Sequence, residues 1–294
     1  MKNAIEVNGL TKHYKDFTLD HVSFQVPAGS IVGFIGENGA GKSTTIKAIL
    51  DLIQRDGGDV ELLGQKNGAK NKELKEQISV IFDECYFPDS LRVVDVNQMM
   101  KQVYRHWEPE TFLNYCQRFE LPDKKAVKEF SRGMKVKLSI AVALSHQAKL
   151  IILDDACGSL DPVVRSEILD LFLEFIQEED HTVFLSSHIT SDIEKICDYI
   201  MLIHKGKLLF FENKDALLYD YGIVRCTQEQ YKELNPETVL GMRKNRFEIE
   251  ALVNNRQALE GRPHEYVVDP ASIEDILLYV VKCSVERENG DSER

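Results

Sequence analysis

An α/β fold built on a mostly parallel sheet is what the order of apolar runs in this chain predicts. Ile31-Val32-Gly33-Phe34-Ile35, Leu150-Ile151-Ile152-Leu153 and Thr182-Val183-Phe184-Leu185-Ser186 are short and continuously apolar, as strands covered on both faces are. Between the last two lies an amphipathic helix with Ile168, Leu169, Phe172 and Phe175 on one side. Strands that alternate with helices pair in parallel, because each helix carries the chain back across the sheet.

The elements follow in order. Ile5-Glu6-Val7 and Val22-Ser23-Phe24-Gln25-Val26 alternate apolar and polar and end at Pro27-Ala28-Gly29, so both read as half-buried strands. After the strand 31–35 comes a glycine-rich loop, and Ser43 to Ile53 reads as a helix with Ile46, Ile49, Leu50 and Ile53 together. Residues 85–145 read as mainly helical. Beyond Tyr221-Gly222 the pattern shortens to strands at Val224-Arg225-Cys226, Arg246 to Leu252 and Tyr266-Val267-Val268, then a helix from Ile273 to Val281. The expected organisation is a domain over 1–221, a small accessory α/β lobe over 222–285, and a frayed charged tail over 286–294.

Composition narrows the functions available to such a fold. Lys and Arg total 36 against 48 Asp and Glu, a formal charge of −12, which disfavours a nucleic-acid partner held through phosphates. The 43% of hydrophobic residues suffices for a packed core. Apolar runs such as Ile276 to Val281 are far shorter than the roughly 20 residues that cross a bilayer, and Met1 to Glu6 lacks the apolar centre of a signal peptide. Six cysteines are scattered without a CxxC pair, so buried thiols are expected in place of a disulfide framework or a zinc site.

The chemistry concentrates after the first buried strand. Gly36-Glu37-Asn38-Gly39-Ala40-Gly41-Lys42-Ser43-Thr44 fits GxxxxGK[ST]. Glycines let the backbone curl so that its N–H groups converge on phosphate oxygens, and the following helix adds the positive end of its dipole. Lys42 can then reach the β- and γ-phosphates of a bound nucleotide, and the Ser43 hydroxyl can ligand Mg²⁺. Asp154 closes the run Leu150 to Leu153 at the carboxyl end of a buried strand, where a metal-holding carboxylate belongs.

With these residues in place, the chain resembles the ATPase subunits of ATP-binding-cassette (ABC) transporters over about residues 3–220. Phe130-Ser131-Arg132-Gly133-Met134 matches the signature loop, Ser159-Leu160-Asp161-Pro162 the D-loop, His188 the switch histidine, and Tyr14 the aromatic that stacks on adenine. The resemblance implies a P-loop NTPase cassette: a RecA-like, mostly parallel core sheet, an antiparallel β subdomain and a helical subdomain at about 85–145. It also implies two such domains meeting head to tail around ATP, with Ser131, Gly133 and Asp161 facing nucleotide bound mainly by the other copy, as a homodimer or a heterodimer. A separate integral-membrane permease is implied as partner, and the cytoplasmic face of the membrane as location. The stretches Phe82 to Phe87 and Phe130 to Ser145 most resemble exporters of antimicrobial or amphipathic peptides, such as lantibiotics and phenol-soluble modulins.

Two positions depart from the family pattern. Asp155 stands where a Glu polarises the attacking water; its charge suits the role, but it is one methylene shorter, so slow hydrolysis is expected. Asp83 stands at the Q-loop glutamine, where its oxygen is a candidate third ligand for Mg²⁺. The signature also departs from LSGGQ, in the form S-[KR]-G-M that is familiar in exporter subunits resembling this chain. Tyr86 and Phe87 are either an exposed docking surface for the permease or core of the helical part. Two other readings stay open: a slow or nearly inactive ATP switch paired with an active sister subunit, and an ABC ATPase not coupled to transport. Against the latter stand the single P-loop, the charge, and the lack of room between Lys42 and Ser131 for a long coiled coil.

Overall fold

A computed structural model describes residues 2–68, 71–158, 160–260 and 266–281. Contacts divide the chain into two compact units, Met1–Phe211 and Glu212–Arg294. This division falls about ten residues before the expected 221–222, because the helix Lys214–Asp220 belongs with the second unit.

The first unit begins with β1 (Asn3–His13) and β2 (Thr18–Pro27), which pair antiparallel with Val7 opposite Phe24. After β3 (Ile31–Ile35) and α1 (Lys42–Ile49), β4 (Gly57–Leu62) returns antiparallel to β1, with the short β5 (Gln65–Lys66) at the edge. Their order is β2-β1-β4-β5, the antiparallel subdomain that the resemblance implies. Next come α2 (Lys72–Glu76), β6 (Ile78–Phe82), α3 (Val93–Val103), α4 (Pro109–Arg118), a 3-10 turn (Val127–Glu129) and α5 (Arg132–Ala143). The unit closes with β7 (Leu150–Asp154), α6 (Pro162–Phe175), β8 (Thr182–Ser186), α7 (Thr190–Ile196), β9 (Tyr199–His204) and β10 (Lys207–Asn213). The second sheet runs β10-β9-β3-β8-β7-β6, and β9-β3-β8-β7-β6 are parallel throughout.

Every residue of β3, β7 and β8 is buried, which is why these strands are apolar on both faces. One core joins the two sheets: the Phe24 and Phe184 rings stack at 6.1 Å, and Phe34 meets Phe184 at 5.5 Å. Each such ring withdrawn from water contributes roughly 1.5–3 kcal/mol, so this junction is a principal support of the site above it.

The first helix is shorter than its apolar spacing predicts. It stops at Ile49 because Asp51 takes a left-handed backbone, φ +56°. The Asp51 N–H donates to the Ala48 carbonyl and that of Leu52 to the Lys47 carbonyl, a Schellman closure with Asp in the place usual for Gly. Leu50 and Ile53 still pack on the core from beyond the helix.

The second unit holds α8 (Lys214–Asp220), β11 (Gly222–Cys226), α9 (Gln228–Glu233), β12 (Val239–Lys244), β13 (Ile249–Val253), α10 (Arg256–Glu260) and β14 (Val267–Pro270). Residues 273–281 form a last helix. The sheet order β12-β13-β11-β14 is antiparallel over a core that includes Val224, Ile249, Ala251 and Val253. The expected strand from Arg246 begins at Ile249, and β12 is an addition: Gly241 interrupts it and its last three residues are exposed, which hides its period. The charged tail expected over 286–294 lies outside the described residues.

Candidate functional site

The glycine-rich loop joins β3 to α1. Gly41 caps α1 with φ +115°, a conformation that a Cβ would strain, and a Cβ there would fall 2.9 Å from the Phe17 ring. The loop curls around Lys42, which is only 7% exposed. Its Nζ donates to the Gly36 carbonyl at 2.6 Å and the Glu37 carbonyl at 3.1 Å. Burial pushes the Lys42 pKa down, while Asp155, Asp154 and Glu37 act in the opposite sense. Glu37, Asn38 and Gly39 form an exposed tip, Ala40 is buried beneath it, and Thr44 sits half-buried in the first turn of α1, whose N–H groups have no earlier carbonyl in the helix to bond.

The strand register assembles the remaining groups. Phe82 lies opposite Asp154, and Asp154 opposite Ser186, so β6, β7 and β8 end level and present Asp83, Asp155 and His188 just beyond. Asp154 is 7% exposed and accepts from the Ser43 hydroxyl at 2.9 Å. Burial raises its pKa, opposed first by that hydrogen bond and then by Lys47. Hydroxyl and carboxylate oxygens are hard donors that suit Mg²⁺, which takes one or two carboxylates and completes its shell largely with water and phosphate oxygens. Ser43 and Asp154 therefore fit the cation.

Asp155 adopts φ +52°, a left-handed backbone uncommon outside glycine. The Asp155 N–H donates to the Ser186 carbonyl at 3.2 Å, and its Oδ1 lies 2.8 Å from Nδ1 of the exposed His188. Gly158 makes that approach possible: a Cβ there would stand 2.8 Å from His188 Cε1. A carboxylate oriented by an imidazole at a strand end can accept a proton from a water attacking a phosphoryl group.

Lys42, Ser43, Asp154, Asp155 and His188 thus form one connected group. Other expected residues have different commitments. Ser131 caps α5, its hydroxyl accepting from the Met134 N–H at 3.3 Å, and Gly133 follows in the first turn. Asp161 caps α6 through the N–H groups of Val163 and Val164; Ser159 lies outside the described residues. Tyr14 is exposed, 6.5 Å from the Phe17 ring, with the Lys12 ammonium 5.6 Å above it. Asp83, expected as a third metal ligand, is engaged by Arg132, whose Nε donates to Oδ1 at 3.1 Å and whose Nη2 contacts Oδ2.

Sequence reasoning missed Phe17 against Gly41, Arg132 against Asp83, Gly158 beneath His188, and His204. His204, at the end of β9, is buried with Nδ1 3.4 Å from the Glu37 carboxylate. Its only sequence signal is its place after the apolar run Ile200 to Ile203, the position that made Asp154 conspicuous.

Comparison with known proteins agrees with this geometry. The family model described as ABC transporter matches residues 19–158. The chain is 36% identical to the bacitracin transport ATP-binding protein BcrA of Bacillus licheniformis over 213 residues, covering 71% of this chain and 69% of that one. It is 32% identical to the lantibiotic transport ATP-binding protein SrtF of Streptococcus pyogenes, covering 72% and 92%. A solved ATP-binding subunit of an ABC transporter superposes with a TM-score of 0.67 at 26% identity, covering 74% of this chain and 92% of that one.

Proposed function

The chain belongs to the ATP-binding subunits of the ABC transporter family, and from that premise we propose that it is the ATP-hydrolysing engine of a peptide exporter, driving a separate membrane-spanning permease. The observation that carries the reading is the contact of Ser43 with Asp154 beside the buried Lys42. It supports the reading because Ser43 and Asp154, a pair of oxygens suited to Mg²⁺, and Lys42, suited to phosphate, stand at one loop, with Asp155 and His188 adjacent.

In this reading the loop 36–44 holds the phosphates of ATP through backbone N–H groups, Lys42 and the α1 dipole. Ser43 and Asp154 hold Mg²⁺, whose charge neutralises that developing on the phosphoryl oxygens. Asp155 accepts the proton of the attacking water, and His188 fixes the carboxylate and answers to the γ-phosphate. Tyr14 and Phe17 flank the loop on the side where an adenine would stack. Ser131, Gly133 and Asp161 serve a second copy, identical or related, in a head-to-tail dimer that ATP closes and hydrolysis opens.

The permease is assigned to a groove of the helical subdomain. Phe82, Tyr86, Phe87, Met99 and Met100 line a cavity of about 360 Å³, and Tyr86 is 70% exposed, so its ring faces solvent and is free for a partner. No helix among the described residues is long and apolar enough to cross a membrane, so contact with the bilayer's cytoplasmic face would come through that partner. The named substrates of BcrA and SrtF favour an antimicrobial or amphipathic peptide as cargo. Asp155 favours slow turnover, and with it a sister subunit whose site is faster.

The purified full chain tests the proposal. ATP-dependent dimers with measurable phosphate release, both lost in Lys42→Ala, are expected; phosphate release that survives Lys42→Ala would overturn it.

A further inference from the structure

Two of the departures from the family pattern meet in space. Asp83 replaces a neutral glutamine just beyond β6, and Arg132 replaces a signature glycine as the first residue of α5. Forty-nine positions apart, they form a two-pronged ion pair in which Nε meets Oδ1 and Nη2 meets Oδ2. Both carboxylate oxygens are thereby engaged, in the fork geometry that gives guanidinium–carboxylate pairs their specificity. Either substitution alone would leave an unmatched charge; together they are complementary. Nearby charges are spoken for differently: Lys135 faces Asp89, and Arg92 is bonded to Asp95.

The place of this pair gives it meaning. Phe82 is in register with Asp154, so Asp83 stands at the level of the metal-binding carboxylate. Arg132 stands between Ser131 and Gly133, on the loop that the proposed dimer turns toward the other copy's γ-phosphate. A carboxylate with both oxygens on a guanidinium is not available to a cation, and a guanidinium so held is not available to a phosphate. The Arg132 side chain is 63% exposed and that of Asp83 34%, so solvent weakens the pair and lets it open readily.

We propose that Asp83 and Arg132 form an intramolecular latch, in which Arg132 is a positioning residue that withholds Asp83 from Mg²⁺ until ATP binding opens the pair. Opening gives Asp83 to the cation and turns Arg132 to the second copy, so metal binding and dimer closure are coupled through one contact. The dimer half of this proposal rests on the head-to-tail reading above; the metal half does not.

The full chain tests it through nucleotide binding, without recourse to turnover. ATP affinity is measured with Mg²⁺ and with chelator, and the ratio is the metal gain. Arg132→Gln should raise that gain about two- to fivefold, the worth of an exposed pair, and leave metal-free affinity unchanged. Asp83→Gln should make the gain indifferent to residue 132, so that the double variant equals Asp83→Gln alone. High salt should carry the wild type toward Arg132→Gln. Amide exchange without nucleotide should quicken at 82–84 and 131–135 in either single variant and slow again in the charge-reversed pair Asp83→Arg with Arg132→Asp. A metal gain unmoved by Arg132→Gln, or single effects that simply add, would overturn the latch. Light scattering separates the two proposals: a chain that shows the metal effect and never dimerises refutes the head-to-tail reading alone.

Discussion

Lengthening Asp155 by one methylene isolates the feature most expected to limit turnover. Its carboxylate is fixed by the backbone at φ +52° and by His188 at 2.8 Å, so it cannot drift toward the phosphates to compensate for a short side chain. Asp155→Glu advances the carboxylate by about 1.5 Å, one carbon–carbon bond. A misplacement of about 1 Å costs about 10²-fold in rate, which is about 2.7 kcal/mol of barrier. Phosphate release at saturating Mg²⁺ and ATP should rise about 10- to 100-fold, with the equilibrium affinity for ATP unchanged. Stability should move the other way, since Asp tolerates a left-handed backbone better than longer side chains do; a loss of up to about 1 kcal/mol is expected in denaturant titration. Asp155→Asn keeps the shape and removes the base, so it should bind ATP and release almost no phosphate. Unchanged or slower turnover in Asp155→Glu would refute the reasoning, and would mean that the loop already sets Asp155 at the right distance.

His146 gives a pH prediction. Its ring is buried, stacked on Tyr104 at 3.8 Å, with Nε2 2.7 Å from the Ser79 hydroxyl and Nδ1 3.1 Å from the Glu76 carbonyl, and burial lowers its pKa to about 4. Between the ordinary value of about 6.5 and about 4, the unfolded chain takes up a proton that the folded chain refuses, so stability falls as pH drops through that window, by about 3 kcal/mol in full. Melting temperatures from pH 7 to 4.5 should fall less steeply in His146→Gln; equal slopes would remove His146 as the cause. Gly158→Ala places a methyl group 2.8 Å from His188 Cε1 and should displace that exposed ring from Asp155. Turnover should fall about tenfold with ATP affinity unchanged, and a variant as fast as the wild type would show that the His188–Asp155 bond does not serve hydrolysis.

The glycine-rich loop was legible because its chemistry is local: nine consecutive residues carry the turn, the lysine and the hydroxyl, and an apolar strand before them and an amphipathic helix after them state where they sit. Asp154 was legible for a related reason, since a carboxylate ending a wholly buried strand has few structural uses. Pairings made by the sheet were not legible. Nothing near Arg132 announces Asp83, because only the level ends of β6 and β7 and the start of α5 bring them together. Phe17 reached the loop in the same hidden way, through a turn after β1 that sets its ring against Gly41. Ser131 and Asp161 were legible as members of motifs, yet their caps show that one oxygen satisfies the N–H groups of a helix start whether it belongs to a side chain or to a phosphate. The early end of α1 escaped because left-handed closure by Asp51 leaves no glycine to mark it.

These commitments bear on what drives nucleotide binding. Lys42 rests on two carbonyls, Ser43 on Asp154, Asp155 on His188 and Asp83 on Arg132. A buried ammonium without acceptors would be costly, so the loop supplies its own. Binding ATP therefore exchanges hydrogen bonds for hydrogen bonds, and each exchange contributes only about 1 kcal/mol net. A larger contribution must come from charge. Asp154 and Asp155 are adjacent, and burial and its neighbour's charge both act against ionisation of Asp154; a divalent cation beside Asp154 opposes both effects at once. It follows that Mg²⁺ should strengthen ATP binding at this site by more than its contacts with the phosphates alone would account for. Asp154→Asn removes the repulsion with the ligand, and should lower the metal gain while leaving metal-free ATP binding intact or improved.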